Sequence, residues 1–371
     1  MVTHHFLDRA LAELLDEPNR LTLEELARSC CMAPGWVVER LEAGLLQGEQ
    51  SGGRWLFTSS TVLRARRLAR LESSFDADPE LAAALMRGLT EGGAEAVFET
   101  ARIWADLAHL VDDSYRIDEV TGPDEYTAIV NNNLFTNLMA RHHLRFALEV
   151  AEYLHSHHPE RYAELRAHIG LSDEELALWQ RMAAQMKVPF DAERGLHAQD
   201  DAFFDKPLWD FANTPKANYP LLLHYHPLVI YRHQVCKQPD VVLALLLLGD
   251  EFTTEEKRCN YDYYEAITTH DSSLSSCIFS IMASEIGYGE KAYDYFMQTA
   301  RLDLDNLHHN TQHGLHCAAL AGSWMALVYG FAGMRSNAET PQFAPFLPRQ
   351  WTHYQFVTEE VDIIINTLQT F

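Results

Sequence analysis

Glu125 is the first residue in the chain whose surroundings suggest proton transfer. It stands in Thr121-Gly122-Pro123-Asp124-Glu125-Tyr126, a turn entered through Gly and Pro, just before Asn131-Asn132-Asn133 and a predicted helix. A carboxylic acid in such a turn can protonate a glycosidic oxygen when burial or a nearby negative group, here Asp124, keeps it protonated. The same residues could instead cap the helix, with Asp124 and Asn133 satisfying backbone donors, and spacing alone favours the cap.

Lys237 and Gln238 are candidate sugar-binding residues. They follow an aromatic, His-rich stretch from His224 to Gln234. A lysine and a side-chain amide at a helix start can donate to sugar hydroxyls, while Tyr and His rings can stack on pyranose rings. The ordinary alternative is a solvated lysine.

Ser272 and Ser273 are candidate anion-binding residues. They lie in His270-Asp271-Ser272-Ser273-Leu274-Ser275, where hydroxyls and backbone N–H groups meet at a predicted helix start. Such a position favours a dianion, although helix capping by serine explains the same residues without a ligand.

His316 opens a further predicted helix, after Asn310-Thr311-Gln312-His313-Gly314-Leu315, and can pair with phosphate when protonated. A metal site built from nearby histidines is an alternative by spacing. No carboxylate or Cys completes the set, so we expect no metal. The histidines concerned are His308, His309, His313 and His316.

Helices must position these residues, because helical periodicity dominates from residue 81 onward. Loops between the predicted helices are rich in Asp, His, Asn and aromatic residues, where binding groups usually sit. This pattern predicts a mainly α protein built as a helical toroid, with a bundle as the alternative. The predicted helices are Ala94–Leu110, Leu134–His155, Asp173–Met186, Pro239–Leu248, Ser275–Ile286, Glu290–Thr299 and Gly314–Tyr329. After Arg335, a proline-punctuated link leads to Glu359–Leu368, which suggests one strand or a short helix.

Residues 1–80 have a different composition. Thr22 and Glu25 predict a capping box, followed by a helix over 21–27, a second helix from Pro34 to Leu41, and a short strand at Arg54–Thr58. A basic helix from Val62 to Leu71 then carries Arg64, Arg66, Arg67 and Arg70. This order resembles the MerR-like winged domain, particularly the modulators that bind DnaJ-type co-chaperones. DNA reading is the alternative, but nine basic against thirteen acidic side chains in this segment disfavour it.

Composition narrows the function classes further. The chain has 371 residues, 47% of them hydrophobic, and a formal net charge of −24, which disfavours nucleic acid and anionic membranes as partners. The six cysteines form no C-x-x-C pair, so we expect free thiols. We see no signal-peptide pattern, and the longest apolar run, near Val241 to Leu248, is too short for a bilayer. A cytoplasmic protein is expected.

The joint order of these motifs is more specific than each motif. Gly-Pro-Asp-Glu-Tyr with Asn-Asn-Asn, Lys-Gln-Pro-Asp-Val-Val, Thr-His-Asp-Ser-Ser-Leu-Ser, Asn-Thr-Gln-His-Gly-Leu-His and Gly-Phe-Ala-Gly-Met-Arg follow one another from about residue 86. This order closely resembles glycoside hydrolase family 65. The stretches Leu222–Pro227 and Tyr231–Gln238 are most similar to its maltose phosphorylase branch.

The resemblance implies an (α/α)6 barrel and inverting phosphorolysis of an α-glucosyl disaccharide, maltose before kojibiose or trehalose. It implies Glu125 as proton donor, Lys237 and Gln238 as the glucose-binding pair, and Ser272, Ser273 and His316 as the phosphate pocket. Phosphate is then a co-substrate and no cofactor is needed. Because phosphate replaces water and its general base, one carboxylic acid suffices; the loop that would supply a base carries Gln312 and His313.

The chain also departs from the family pattern. The family's β-sandwich, helical linker and first barrel helices with a Trp-Asp sugar-binding motif do not precede this segment. We therefore expect a winged helix-turn-helix domain at 1–80, a partial toroid at 81–340 and a stub of a β-domain at 341–371. Exposed helix faces and the resemblance suggest a homodimer. The alternative function is a non-catalytic regulator that senses sugar and binds a co-chaperone or promoter through residues 1–80.

Overall fold

The computed structural model describes residues 21–29, 32–42, 46, 48–51, 53–57, 61, 65, 93–335, 342–357 and 362–366. The chain divides into two compact units. One contains residues 1–102 and 146–176, and the other contains residues 103–145 and 177–371.

The first unit begins with two short helices and a small antiparallel sheet. Strand β1 (Leu21–Thr22) leads into helix α1 (Leu23–Ser29), and α2 (Pro34–Glu42) precedes strands β2 (Glu49–Ser51) and β3 (Arg54–Phe57), in sheet order β1-β3-β2. Leu26, Val37 and Phe57 are fully buried in its core. The elements follow the predicted order, except that Leu21 and Thr22 pair with β3 as a strand instead of starting the helix.

Thr22 and Glu25 form the predicted capping box. The Glu25 carboxylate accepts the backbone N–H of Thr22 at 2.8 Å, and the Thr22 hydroxyl accepts that of Glu25 at 3.4 Å. The predicted basic helix from Val62 to Leu71, with all four of its arginines, lies outside the described residues apart from Ala65.

Helices α3 (Gly93–Leu107) and α4 (Leu134–His157) each run through both units, and α5 (Pro159–Ile169) belongs to the first. Between α3 and α4, β4 (His109–Val111) pairs with β5 (Ser114–Arg116). Helix α5 was not predicted because its composition is polar. It buries one side chain, that of Tyr162. Gly170, with φ of 65°, ends α5 in the left-handed conformation that glycine adopts readily.

The second unit is helical around one large core. It contains α6 (Asp173–Gln185) from residue 177 onward, and all of α7 (Pro227–Ile230), α8 (Val241–Leu247), α9 (Thr254–Ile267), α10 (Ser275–Glu285), α11 (Gly289–Arg301) and α12 (Cys317–Met325). Helix α10 lies at the centre, with Phe279, Ile281, Met282 and Ala283 fully buried. Long predicted helices are confirmed within a few residues at each end. Helix α9 was missed because acidic and tyrosine residues break up its apolar pattern, yet a capping box of Thr253 and Glu256 starts it.

The end of the unit shows two further differences from prediction. The predicted helix Gly314–Tyr329 is divided into α12 and a π-helical turn, Ala326–Phe331. Strand β7 (Asp362–Asn366) pairs antiparallel with β6 (His353–Val357). Of the two predicted options for this part of the tail, a strand or a short helix, the strand is confirmed. Its partner β6 was not predicted.

Cys236, Cys259, Cys277 and Cys317 are free thiols, as predicted for them. Across the described parts of the chain, no helix is both long enough and apolar enough to cross a membrane.

Candidate functional site

The loop that carries Glu125 is fixed at its far end by the start of α4. Asn133 caps this helix, because its Oδ1 accepts the backbone N–H and the hydroxyl of Thr136, each at 3.0 Å. The capping interpretation is therefore confirmed for Asn133. It is wrong for Asp124, whose carboxylate binds the backbone of a distant segment.

The side chain of Glu125 is 54% exposed and forms an ion pair with Lys237, which is 18% exposed. These residues are 112 positions apart in the sequence. The structure therefore brings together the predicted proton donor and half of the predicted sugar-binding pair.

Gln238 connects the Glu125 loop to the Ser272 loop. Its Nε2 donates to the backbone carbonyl of Pro123, and its Oε1 accepts the hydroxyl of Ser272 at 2.5 Å. Just before it, Cys236 is anchored to the end of α9 by two backbone bonds, to Ile267 and Thr269. The three loops with predicted chemistry thus form one hydrogen-bonded assembly.

A cavity of about 280 Å³ opens at the start of α10. Ser272 and Ser273 both line it, and Ser272 also accepts the backbone N–H of Leu274 at 3.2 Å. The capping interpretation is wrong for these serines, because Leu274 is the N-cap residue of α10 and no side chain makes the capping hydrogen bond. Ser272 therefore lines the cavity without capping the helix. The rest of the lining is His270, Ser276, Gln298, Thr299, Leu302, Leu307 and His308.

A chain of side-chain hydrogen bonds begins at Ser275, passes through the cavity-lining residue His270, and ends at Glu265. The Nδ1 of His270 binds the Ser275 hydroxyl at 2.8 Å, its Nε2 binds the hydroxyl of Tyr295 at 3.1 Å, and Tyr295 donates to Glu265 at 3.1 Å. This order of donors places the imidazole proton on Nε2. Burial lowers the pKa of His270 to about 4, so the ring is neutral at pH 7.

His316 lies beside this cavity, outside its lining. Its ring makes an edge contact with that of His308, a lining residue, at 6.2 Å between centroids. Its Nδ1 binds the carboxylate of Asp303 at 2.5 Å. The structure thus brings Ser272 and Ser273, two of the three predicted phosphate-binding residues, to one cavity. The third, His316, contacts the lining residue His308 from outside the cavity.

Tyr225 and His233, two of the rings expected to stack on sugar, pack against Trp209. Both meet it edge-on, at 5.0 Å and 5.1 Å between ring centroids. Trp209 is buried together with Tyr126, Leu221, Ile230 and Val235 in a small apolar cluster. These two rings therefore pack against this apolar cluster through Trp209.

Two carboxylates that support the site were not predicted from the sequence. Asp271 accepts the hydroxyl of Tyr126 at 2.5 Å, and burial followed by this bond raises the pKa of Tyr126. Asp303 binds His316. Asp271 directly precedes Ser272, and Asp303 lies thirteen residues before His316. No local sequence pattern marked either aspartate as part of the site. Among the described residues, no three His, Cys, Asp or Glu side chains are grouped to hold a metal ion.

Comparison with known proteins identifies a family. The central catalytic domain of glycosyl hydrolase family 65 matches residues 86–325. The chain is 55% identical to the alpha,alpha-trehalose phosphorylase of Geobacillus stearothermophilus over 264 residues, which are 71% of this chain and 34% of that protein.

Two other similarities agree with this family. The maltose phosphorylase of Bacillus subtilis is 39% identical over 280 residues, or 75% of this chain and 36% of that protein. A solved structure described as a kojibiose phosphorylase from the human microbiome aligns with a TM-score of 0.68 and 30% identity, covering 74% of this chain and 41% of that one. The chain spans about a third of the length of the curated relatives it matches.

Proposed function

Because the chain belongs to glycosyl hydrolase family 65, we propose that it is the catalytic part of an inverting disaccharide phosphorylase. The observation that supports this most is the hydrogen-bonded assembly of the Glu125, Lys237–Gln238 and Ser272 loops beside one cavity. A proton donor, sugar-binding donors and an anion seat are the parts that such a reaction needs.

In the proposed reaction, phosphate binds at Ser272 and Ser273, near the N-terminus of α10, where backbone N–H groups favour an anion. Its oxygen attacks the anomeric carbon from the face opposite the leaving sugar. As the glycosidic bond breaks, Glu125 gives its proton to the leaving oxygen. The products are β-glucose 1-phosphate and glucose. Phosphate is the co-substrate, no cofactor takes part, and His316 assists in holding the anion.

We propose α,α-trehalose as the first substrate to test, ahead of maltose and kojibiose. The sequence motifs alone pointed to maltose. The higher identity to the trehalose phosphorylase supports the change of order. All three sugars present an α-glucosyl unit, which Lys237 and Gln238 would bind in the same way.

The test is release of glucose 1-phosphate from each disaccharide in phosphate buffer. We expect turnover by the wild type and a loss of about 10²–10⁴-fold in kcat for Glu125→Gln, because the amide cannot donate the acid proton. Glu119→Gln, an exposed glutamate in the same loop region, is the matched control and should keep the wild-type rate. No turnover from folded wild-type protein, or equal turnover by Glu125→Gln, would contradict the proposal.

For the rest of the chain we propose a winged helix-turn-helix domain at 1–80, a partial (α/α)6 toroid at 81–340 and a short β-domain remnant at 341–371, in a cytoplasmic homodimer. The two helices and three-stranded sheet at 21–57 support the first of these. A second candidate function is that residues 1–80 bind a DnaJ-type co-chaperone and the helical part senses sugar without turnover. Co-chaperone binding that persists in Glu125→Gln, with no phosphorolysis by wild type, would favour that function.

A further inference from the structure

Two aspartates that the proposed reaction does not use are buried between the loops that it does use. Asp124 directly precedes Glu125, and Asp240 follows Gln238 by two positions. Their exposed fractions are 0% and 1%. A carboxyl group this deeply buried is costly unless its oxygens are bound.

Each carboxylate binds backbone N–H groups in the segment that carries the other aspartate. Oδ1 of Asp124 accepts the N–H of Lys237 at 2.8 Å and that of Gln238 at 3.4 Å. In return, Oδ1 of Asp240 accepts the N–H of Asp124 at 2.5 Å. We call this reciprocal arrangement the aspartate clamp. It joins segments that are more than 110 residues apart in sequence.

The second oxygens anchor the clamp to the scaffold. Oδ2 of Asp124 accepts Nε2 of Gln199 at 3.0 Å, and Oδ2 of Asp240 accepts Nδ2 of Asn133, the cap of α4, at 2.8 Å. The clamp therefore has a fixed position relative to a long helix.

We propose that Asp124 and Asp240 are positioning residues, which hold the Glu125 carboxyl group and the Lys237–Gln238 pair in register for the reaction. This inference rests on the proposed phosphorolysis. The side chain of Glu125 is half exposed and forms an ion pair with Lys237, so its place depends on the two backbone segments that Asp124 and Asp240 hold together. Displacement of a reacting group by about 1 Å can cost on the order of 100-fold in rate.

The number of hydrogen bonds that each carboxylate accepts distinguishes the two residues. Burial raises the pKa of both, and the nearby Asp124 charge raises that of Asp240 further. Asp124 accepts three backbone N–H groups and one amide, which stabilise its anion. Asp240 accepts one backbone N–H and one amide. Asn at either position places an NH2 group against a donor, and more bonds depend on the acceptor oxygens at position 124 than on those at position 240.

The first test compares two donors with the same nucleophile. α-D-glucosyl fluoride releases fluoride, which needs little help from an acid, whereas the disaccharide needs the proton of Glu125. We expect Asp124→Asn to lower kcat on the disaccharide about 100-fold and on the fluoride less than fivefold, as Glu125→Gln should. Asp240→Asn should have the same pattern with a smaller loss.

Asp200→Asn is the matched control. Asp200 is also buried, at 1% exposure, but it binds Ala202 and Lys206 instead of the site loops. Its loss, whatever its size, should be equal on both donors. Equal losses on both donors for Asp124→Asn, or a rate within twofold of wild type, would overturn the proposal.

Hydrogen–deuterium exchange supplies a test that needs no activity. In Asp124→Asn the peptides covering 121–127 and 235–240 should exchange at least tenfold faster, while those from α10 should not change. If wild type proves inactive but these peptides respond, the proposed function fails and the clamp stands as a structural link. If wild type is active and neither Asp124→Asn nor Asp240→Asn alters exchange in these peptides, the clamp is refuted and the proposed function stands.

Discussion

Asp303 holds His316 through both of its carboxylate oxygens. Oδ1 binds the imidazole Nδ1 at 2.5 Å, and Oδ2 accepts the backbone N–H of His316 at 2.8 Å. These two hydrogen bonds hold the pKa of Asp303 below its usual range. With Nδ1 bound to the carboxylate, Nε2 is the ring nitrogen that can face an anion.

Asp303→Asn should therefore weaken phosphate binding. We expect the KM for phosphate to rise about tenfold, a change of roughly 1.4 kcal/mol, with the KM for the disaccharide unchanged. Initial rates at varied phosphate measure this. The control is Asp305→Asn, two residues after Asp303 in the sequence. This change removes an ion pair with Arg301. An unchanged KM for phosphate in Asp303→Asn would show that His316 does not depend on Asp303.

His270 predicts a loss of stability in mild acid. Its pKa is about 4 in the folded protein, against about 6.5 in an unfolded chain. Between these values the unfolded state binds a proton that the folded state does not, so stability falls as pH drops from 6.5 to 4, by about 3 kcal/mol in total. Denaturant unfolding at several pH values should show a decline that is smaller by this amount in His270→Gln, because other histidines with lowered pKa values, such as His197, remain. The exposed His168→Gln should keep the full decline, and a wild-type slope in His270→Gln would contradict the assignment.

Gly122 lies where a side chain cannot fit. A Cβ there would be 2.2 Å from Oδ2 of Asp240 and 2.4 Å from Nδ2 of Asn133. Gly122→Ala should therefore lower the free energy of unfolding by roughly 1–3 kcal/mol and reduce activity by shifting the Glu125 loop. Gly93→Ala, with no atom within 4 Å of the new Cβ, is the control and should be nearly neutral. Thermal or urea unfolding decides the matter, and equal stabilities would refute the close contact.

Glu285, the last residue of α10, links two cations. Lys257, whose side chain is 8% exposed, and Arg335 both donate to it. Burial opposes ionisation, but these bonds outweigh it and hold the pKa of Glu285 below its usual range. Glu285→Gln would leave Lys257 buried without its counter-charge, so we expect a loss of about 3 kcal/mol at pH 7.

The sign of this effect depends on pH. Because the folded pKa is depressed, the contribution of Glu285 is present above its ordinary pKa and disappears as pH falls through the folded value. Unfolding curves of wild type and Glu285→Gln should therefore converge in acid. As the control, Glu255→Gln breaks an exposed pair with Arg258 and should cost at most about 1 kcal/mol. A similar small cost for Glu285→Gln would contradict the buried-pair interpretation.

Local pattern was sufficient for much of the fold. The capping box at Thr22 and most helix spans follow from periodicity and short-range hydrogen bonding, which are encoded within a few residues. Helix α5 and helix α9 were missed because their apolar faces are narrow or interrupted by polar residues. Strand β6 was missed although its partner β7 follows after four residues, because a strand of five residues carries too short a pattern to be recognised by itself.

The sequence by itself determined the family and the order of the candidate residues, because both are properties of consecutive motifs. Only the tertiary structure decided which of them meet. Gln238 reaching Ser272, Asp303 holding His316 and the reciprocal bonds of Asp124 and Asp240 all join residues that no local spacing relates. Packing also determined that Asp124, which the sequence analysis considered as a helix cap, is fully buried with its carboxylate bound to another loop. Burial makes such bonds necessary, and burial is a property of the whole fold.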